Sequence, residues 1–428
     1  MAKIVPIKGI TYNQKKANIQ DVTAPPYDVI DPKEQNQLYK KSVNNVVKLI
    51  LGKESKKDTK KNNKYTRASK YFHDWVKKGI LEQDSEPCLY FYRQDFKFEG
   101  KKYSRTGFIC GVKIEPLFKG TVYPHERTLS KPKADRLNLM RACSANFSQV
   151  FSLYEDKNKK IETIIKKIAK RKPHVDFVDN HKERNRVWKV SDASIIMSIQ
   201  KLMTNKKLFI ADGHHRYETA LNYSKEMKGK NNGLSDYVMM FLCSMENPGL
   251  AVFPTHRLVN LNKMTLNVLL EKLAEYFDIK KIARNKMDTL MKKEFTKGNI
   301  SFSLYDGKSI YFLVLKDKNS LKKIIKGSKA YCELDVAVLE SLVFEDVLKF
   351  SKKDIAEQKY LKYVKDLGQT LKMVKSKKFD VGFVMNPPTV KQIESVALNL
   401  ETMPQKSTYF YPKLLSGLVL NGFENEYN

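Results

Sequence analysis

Cysteine is scarce, with five residues in 428. They stand apart at Cys88, Cys110, Cys143, Cys243 and Cys332, without a CxxC pair. That pattern frames no disulfides and matches no familiar zinc spacing, and it suits a reducing compartment. Glycine, at 18 residues, is too sparse for a collagen-like or linker-dominated chain. Long apolar runs are missing. Val238–Cys243 is among the longest, far short of the ~20 residues that cross a bilayer. The opening MAKIVP has no apolar stretch with a small-residue cleavage site, and the closing residues carry no lipidation motif. A cytoplasmic protein without a membrane partner is expected. GxxxxGK[ST], GxGxxG after a strand, HExxH and GxSxG are all absent.

Acidic residues are in deficit. Lys+Arg number 79 against 47 Asp+Glu, a formal net charge of +32. Such a field attracts anions of any kind, from phosphorylated metabolites to nucleic acid. Much of the excess sits in two runs, Lys53–Lys64 and Lys157–Pro173. They read as solvated surface, because they lack the interleaved aromatics that stack on bases. Nucleic acid is therefore expected to bind only non-specifically, if at all. The hydrophobic fraction of 42% supports a buried core, and the length allows two or three domains.

The elements alternate, so the fold class is mixed α/β. Residues 1–150 read as an N-terminal α/β domain. It contains a helix around Tyr71–Val76 capped by Gly79, then a hairpin from Leu89 to Ile114 that turns at Glu99–Lys102. Residues 151–260 hold the strand Lys207–Ile210, a tight turn, a helix from Arg216 to about Met227, and the strand Gly249–Phe253. Residues 261–428 form a third α/β region. It has an amphipathic helix at Thr265–Phe277, a hairpin turning at Asp306-Gly307, a strand at Asp380–Met385, and a helix starting at Thr389 with Gln392 as capping partner.

The sharpest polar cluster is Ala211–Ala220, ADGHHRYETA. A strand leads into an Asp-Gly turn and a helix leaves it, so the first helical N–H groups favour an anion there. Gly213, His214, His215 and Arg216 form the candidate phosphate site, with Arg216 able to clamp a phosphate bidentately. Asp212 is placed to hold magnesium or to orient a histidine. The structural alternative is a capping Asp followed by surface histidines. A second cluster, YPHERTLS, offers His125, Glu126, Arg127 and Thr128, with Glu126 as a candidate proton acceptor. A third is PTHR, with His256 and Arg257 at a strand end. A fourth is KSTYFYPK, where Lys406, Ser407 and Thr408 are candidate phosphate ligands beside an aromatic strand. Ala24–Asp28, APPYD, reads as a rigid turn. Zinc held by His125, His214, His215 and His256 is disfavoured, since neighbouring side chains at such a turn diverge.

ADGHHRYETA resembles the DGHHR signature of free-serine kinases in the ParB/sulfiredoxin-like superfamily. The whole chain resembles a large family with APPYDVI, RTGF, PHERT, ADGHHRYETA, PTHR and KSTYFYPK in this order. The resemblance implies a ParB/sulfiredoxin-like phosphate-binding core with large N- and C-terminal additions. It implies phosphorylation of free L-serine to O-phosphoserine, with Mg2+, from pyrophosphate, ADP or ATP; the cationic site suits pyrophosphate. Asp212 matches the essential acid of the signature, and Glu126 stands as the base, with His125 next in line. A phosphoserine phosphatase and a ParB-like nucleic-acid binder are the alternatives. A sulfiredoxin-like reductase is excluded, because no cysteine lies between Cys143 and Cys243.

Overall fold

A computed structural model describes the chain except Met1, Glu99, Arg127, Leu129, Asn425, Glu426 and Asn428, and the side chains of Ser130 and Lys131. The chain divides into two compact units. The first comprises Met1–Pro124, Thr128–Leu250 and Pro412–Asn428; the second comprises His125–Arg127 and Ala251–Tyr411.

The first unit is built on a nine-stranded mixed sheet. Its strands are β1 (Ile4–Val5), β2 (Leu89–Phe98), β3 (Lys101–Lys113), β4 (Val122–Tyr123), β5 (Val150–Tyr154), β6 (Val175–Val178), β7 (Arg184–Val190), β8 (Leu208–Asp212) and β9 (Tyr237–Ser244). The order is β4-β8-β5-β9-β3-β2-β7-β6, with β1 paired to β3. β4 runs parallel to β8, and β5 parallel to β9; the other pairs are antiparallel. The hairpin expected from the aromatic alternation is β2–β3. The central strands are apolar on both faces, as a two-sided sheet requires. Leu89, Phe91, Val238, Met240 and Leu242 join the core under the helices, while Tyr92 and Phe151 pack edge-to-face with Phe241 on the opposite face.

Five helices matter here: α1 (Lys64–Lys77), α2 (Ser130–Cys143), α3 (Lys160–Ile168), α4 (Ala193–Met203) and α5 (His214–Glu226). α1 starts with a capping box between Asn63 and Thr66, and it ends before Gly79 at φ +61°. Helices α3, α4 and α5 send Ile161, Ile165, Ile199, Met203, Tyr217 and Ala220 into one core against the sheet.

The last stretch of this unit is a buried strap. Leu414 to Phe423 is buried throughout. Its backbone bonds with that of Ala24 at Ser416 and of Ile10 at Leu420, and Asn421 pairs with Asn146.

The second unit holds a six-stranded antiparallel sheet of β10 (His256–Val259), β11 (Phe277–Ile282), β12 (Ser301–Tyr305), β13 (Ile310–Leu315), β14 (Leu361–Val364) and β15 (Val381–Val384). The order is β11-β13-β12-β15-β10-β14. β12 and β13 form the expected hairpin, with Asp306 accepting the Lys308 and Ser309 N–H groups at the turn. The expected capping box of Thr389 and Gln392 opens the helix Val390–Leu398. A two-stranded ribbon pairs Ala251–Phe253 with Tyr409–Tyr411. Among the described residues, no helix is long and apolar enough to cross a membrane.

Candidate functional site

In the first unit, β8 delivers Asp212 to the turn and α5 leaves it. The β8–β5 register shifts between Ile210 and Asp212, so the strand bulges and re-aims the aspartate. Gly213 follows at φ +90°, and it offers no capping side chain to the first turn of α5. A Cβ at Gly213 would lie 2.8 Å from the Arg216 guanidinium carbon. Glycine thus serves twice: it takes the left-handed turn, and it leaves room for Arg216 to fold back.

Arg216 donates to Asp212 Oδ2 and to the Gln149 carbonyl. Lys413, from the start of the strap, donates to Asp212 Oδ1. All three side chains are largely buried. Burial alone would raise the Asp212 pKa. Lys413 and Arg216, with His214 beside them, outweigh it and hold the carboxyl well below its usual range.

Two hydrogen-bonded routes fix the strap against this turn. Arg105, fully buried in β3, donates to Gln94 Oε1 and to the Pro412 carbonyl, the latter at 2.5 Å. Gln94 Nε2 donates to the Lys413 carbonyl at 3.1 Å. Gln149, whose carbonyl takes Arg216, donates from Nε2 to the Leu415 carbonyl at 3.1 Å. The Arg105 guanidinium lies 4.8 Å from the Phe151 ring centroid. Its burial lowers its pKa, opposed by Cys243, Tyr92, Glu183 and Asp212.

Two cations, Arg216 and Lys413, therefore close on one carboxylate at a helix start, and Arg105 holds the segment that brings Lys413 there. That balance favours a multiply charged anion. A narrow cleft of about 40 Å³ opens beside it, lined by Tyr27, Arg136, Asn146, Ser148, Arg216 and Thr219 with apolar neighbours. The Arg136 guanidinium stacks 3.9 Å from the Tyr27 ring centroid. Burial and Asp28 push the Tyr27 phenol up to about 12, against the opposing charges of Arg136 and Arg216.

Among the described residues, no group of three or more His, Cys, Asp or Glu side chains is placed to hold a metal. Both Asp212 oxygens already accept from cations, a poor fit to a magnesium cage built by the protein. Magnesium suits the phosphate oxygens of a donor instead.

Thr128 also lies in the first unit, donating to Glu218 on α5 at 2.7 Å. His214 is buried, and His215 is half-buried. Arg127 lies outside the described residues.

The second unit brings three other motifs together. His125 is fully buried, with Nε2 2.9 Å from Thr408 Oγ1. Glu126 Oε1 accepts the Lys406 N–H at 3.1 Å. Ser407 donates to the Pro404 carbonyl at 2.6 Å. Arg257 is buried, donates to the Thr255 and Lys406 carbonyls, and stacks 5.4 Å from the Tyr363 ring centroid. Burial lowers its pKa, against the opposing fields of Tyr363, Glu340 and Glu126. His256 Nδ1 accepts the Met385 N–H at 3.2 Å; burial and Arg257 lower its pKa to about 4.

The KSTYFYPK run thus divides. Lys406–Tyr411 serves the second unit, while Pro412 and Lys413 serve the first. Lys413 is the second lysine of KSTYFYPK, a run whose two lysines and two hydroxyls the sequence offers as lining for a phosphate pocket, whereas Arg105 is not among the site residues expected from sequence. Arg105 stands between Ser104 and Thr106 in the polar half of its strand, so its neighbours give no signal that it is buried.

Residues 4–337 match the family described as "Protein of unknown function (DUF1015)". The chain belongs to that family. The DUF1015 match ends before the strap that carries Lys413. No curated protein matches the chain. Solved structures give distant likenesses. A free serine kinase in complex with AMP has a TM-score of 0.35 and 13% identity, over 69% of this chain and 92% of the kinase. SbnI with a C-terminal truncation, from Staphylococcus aureus, has a TM-score of 0.37 and 12% identity, over 72% of this chain and 85% of SbnI. A conserved hypothetical protein from Pyrococcus furiosus has a TM-score of 0.33 and 14% identity, over 68% and 87%.

Proposed function

We propose that this protein is a phosphotransferase whose phosphate site is the Asp212–Arg216 turn completed by Lys413. The observation that carries the reading is the pairing of one buried carboxylate with Lys413 and Arg216 at the start of α5. Asp212 stays ionised and holds both cations in fixed positions. A donor phosphate arriving at the helix start meets N–H groups and preset positive charge. Those groups offset the charge that spreads over the transferred phosphoryl, without reorganising at the moment of transfer.

Free L-serine is the proposed acceptor, on the strength of the ADGHHRYETA motif. Pyrophosphate is the proposed donor, because a compact cation cluster matches a compact anion, and magnesium would enter on its phosphate oxygens. Glu126 is the proposed base, a role that rests on the PHERT motif.

The test is product formation. Purified protein with L-serine and Mg2+ is given pyrophosphate, ADP or ATP, and phosphoserine is followed by mass spectrometry. Phosphoserine is expected with pyrophosphate. Rapid release of phosphate from phosphoserine, with no synthesis from any donor, would replace the kinase reading by the phosphatase one.

A further inference from the structure

The lysine run Lys53–Lys64 looks like plain solvated surface in sequence, since no aromatic residue interrupts it. The fold supplies the aromatics from elsewhere. Tyr39 and Tyr71 line an open cleft of about 360 Å³ in the first unit, together with Lys48, Lys53, Lys64 and Arg67. We propose that this cleft binds a phosphate-bearing anion of the nucleotide class, at a site that shares no residue with the Asp212 cluster.

The argument rests on how the four cations are partnered. Lys64 is neutralised by Glu54 at 2.7 Å and Asp135 at 2.6 Å. Arg67 is neutralised by Asp58 at 2.7 Å. Among the described residues, no carboxylate pairs with Lys48 or Lys53. Lys48 Nζ sits 5.7 Å from the Tyr39 ring centroid and 5.4 Å from that of Tyr71. Lys53 Nζ lies 4.6 Å from the Tyr39 centroid and donates to Asn36 at 2.5 Å. Two ammonium groups thus converge on one tyrosine, and the Tyr39 hydroxyl accepts the Lys53 backbone N–H at 3.0 Å, which fixes the ring. Lys48 is half-buried, and burial lowers its pKa. A charge held in that way is stabilised by an incoming anion.

Size and field select the anion. The cleft lies within the range of small-ligand sites. Exposed Lys56, Lys57, Lys60 and Lys61 lie in the chain segment between the lining residues Ser55 and Lys64, and they add to the positive field that attracts multiply charged anions. The tyrosine lining adds a surface on which a base can stack. A free nucleotide and one nucleotide of a single strand present this same chemistry.

The experiment uses the full chain and a fluorescein-labelled oligothymidylate, with affinity read by polarisation at low and at physiological salt. Lys48→Ala/Lys53→Ala should weaken binding at least about fivefold and flatten its salt dependence. Lys281→Ala/Lys322→Ala removes the same charge from exposed positions of the second unit and should leave binding within about twofold. Lys48→Arg keeps the charge and should retain binding, which separates a lost contact from a damaged fold. AMP and inorganic phosphate are then added as competitors. Displacement of the strand by AMP identifies a free nucleotide as the ligand, and failure of AMP to displace it identifies the strand. Equal weakening in both double variants overturns the proposal, as does an oligothymidylate that fails to bind wild-type protein.

Discussion

Lys413 and Asp212 stand 201 residues apart in sequence and share one buried ion pair. The pair ties the last segment of the first unit to the turn that opens α5. Removing Lys413 breaks a buried pair from one side, although Arg216 stays on the other oxygen of Asp212. Lys413→Met should therefore destabilise the protein by about 3 kcal/mol in urea denaturation. In the double variant Lys413→Met/Asp212→Asn the two losses should not add, because the pair is already gone after the first substitution. Strict additivity of the two substitutions would mean that the pair carries no coupling.

Turnover tests the phosphate site directly. Asp212→Asn and Arg216→Ala should each lower phosphoserine formation by at least about a hundredfold, the scale of a lost transition-state contact. Gly213→Ala should resemble Arg216→Ala, since the added methyl would occupy the space of the guanidinium. Near-normal rates in a variant with an unchanged circular dichroism spectrum would remove its residue from the site.

Glu126→Gln tests the base. Loss of proton abstraction should slow the reaction on the order of a hundred- to ten-thousandfold, with donor binding by calorimetry retained. Full activity in this variant would move the base elsewhere, with His125 next to be tested.

The second unit carries two buried groups with opposite responses to pH. Burial pushes Asp335 up to about 7, although Asn386 donates to its carboxylate at 2.9 Å. His256, which accepts from the neighbouring Met385 N–H, titrates near 4 for the reason given above. Between about pH 4 and 6.5 the unfolded state binds the extra proton at His256, so that contribution grows as pH rises and is lost as pH falls through about 4. Between 3.8 and about 7 the folded state binds the extra proton at Asp335, so that contribution shrinks as pH rises through about 7. Each is on the order of 3 kcal/mol, and in wild-type protein they largely cancel. Asp335→Asn should unmask stability that climbs with pH, and His256→Gln stability that falls with pH. Urea midpoints across this range that run parallel in the two variants would contradict both assignments.

Local order was readable in advance where neighbouring residues decide it. The β2–β3 hairpin follows from alternating aromatics, the Asp306-Gly307 turn from its own side chain, and the helix at Val390 from Thr389 and Gln392. The strand–turn–helix around Asp212 was legible for the same reason, although the helix begins at His214, ahead of the expected Arg216. Partners distant in sequence were not legible. Nothing in Arg105 says that it will hold the Pro412 carbonyl, or in Lys413 that it will meet Asp212. The aromatic weight of KSTYFYPK drew attention to Lys406–Thr408, while the lysine at its end crosses into the other unit. Burial decides these cases, and burial is set by the whole fold.

The strap has a consequence for how the protein comes into being. During synthesis the chain emerges from the ribosome in order, and its early segments begin to fold at once. The turn at Asp212 is made 201 residues before the lysine that arms it. At ~5–20 residues per second, tens of seconds separate the two events. Nascent and prematurely ended chains carry the turn without the Lys413 ammonium, so the proposed phosphate site stays incomplete until translation has passed Lys413.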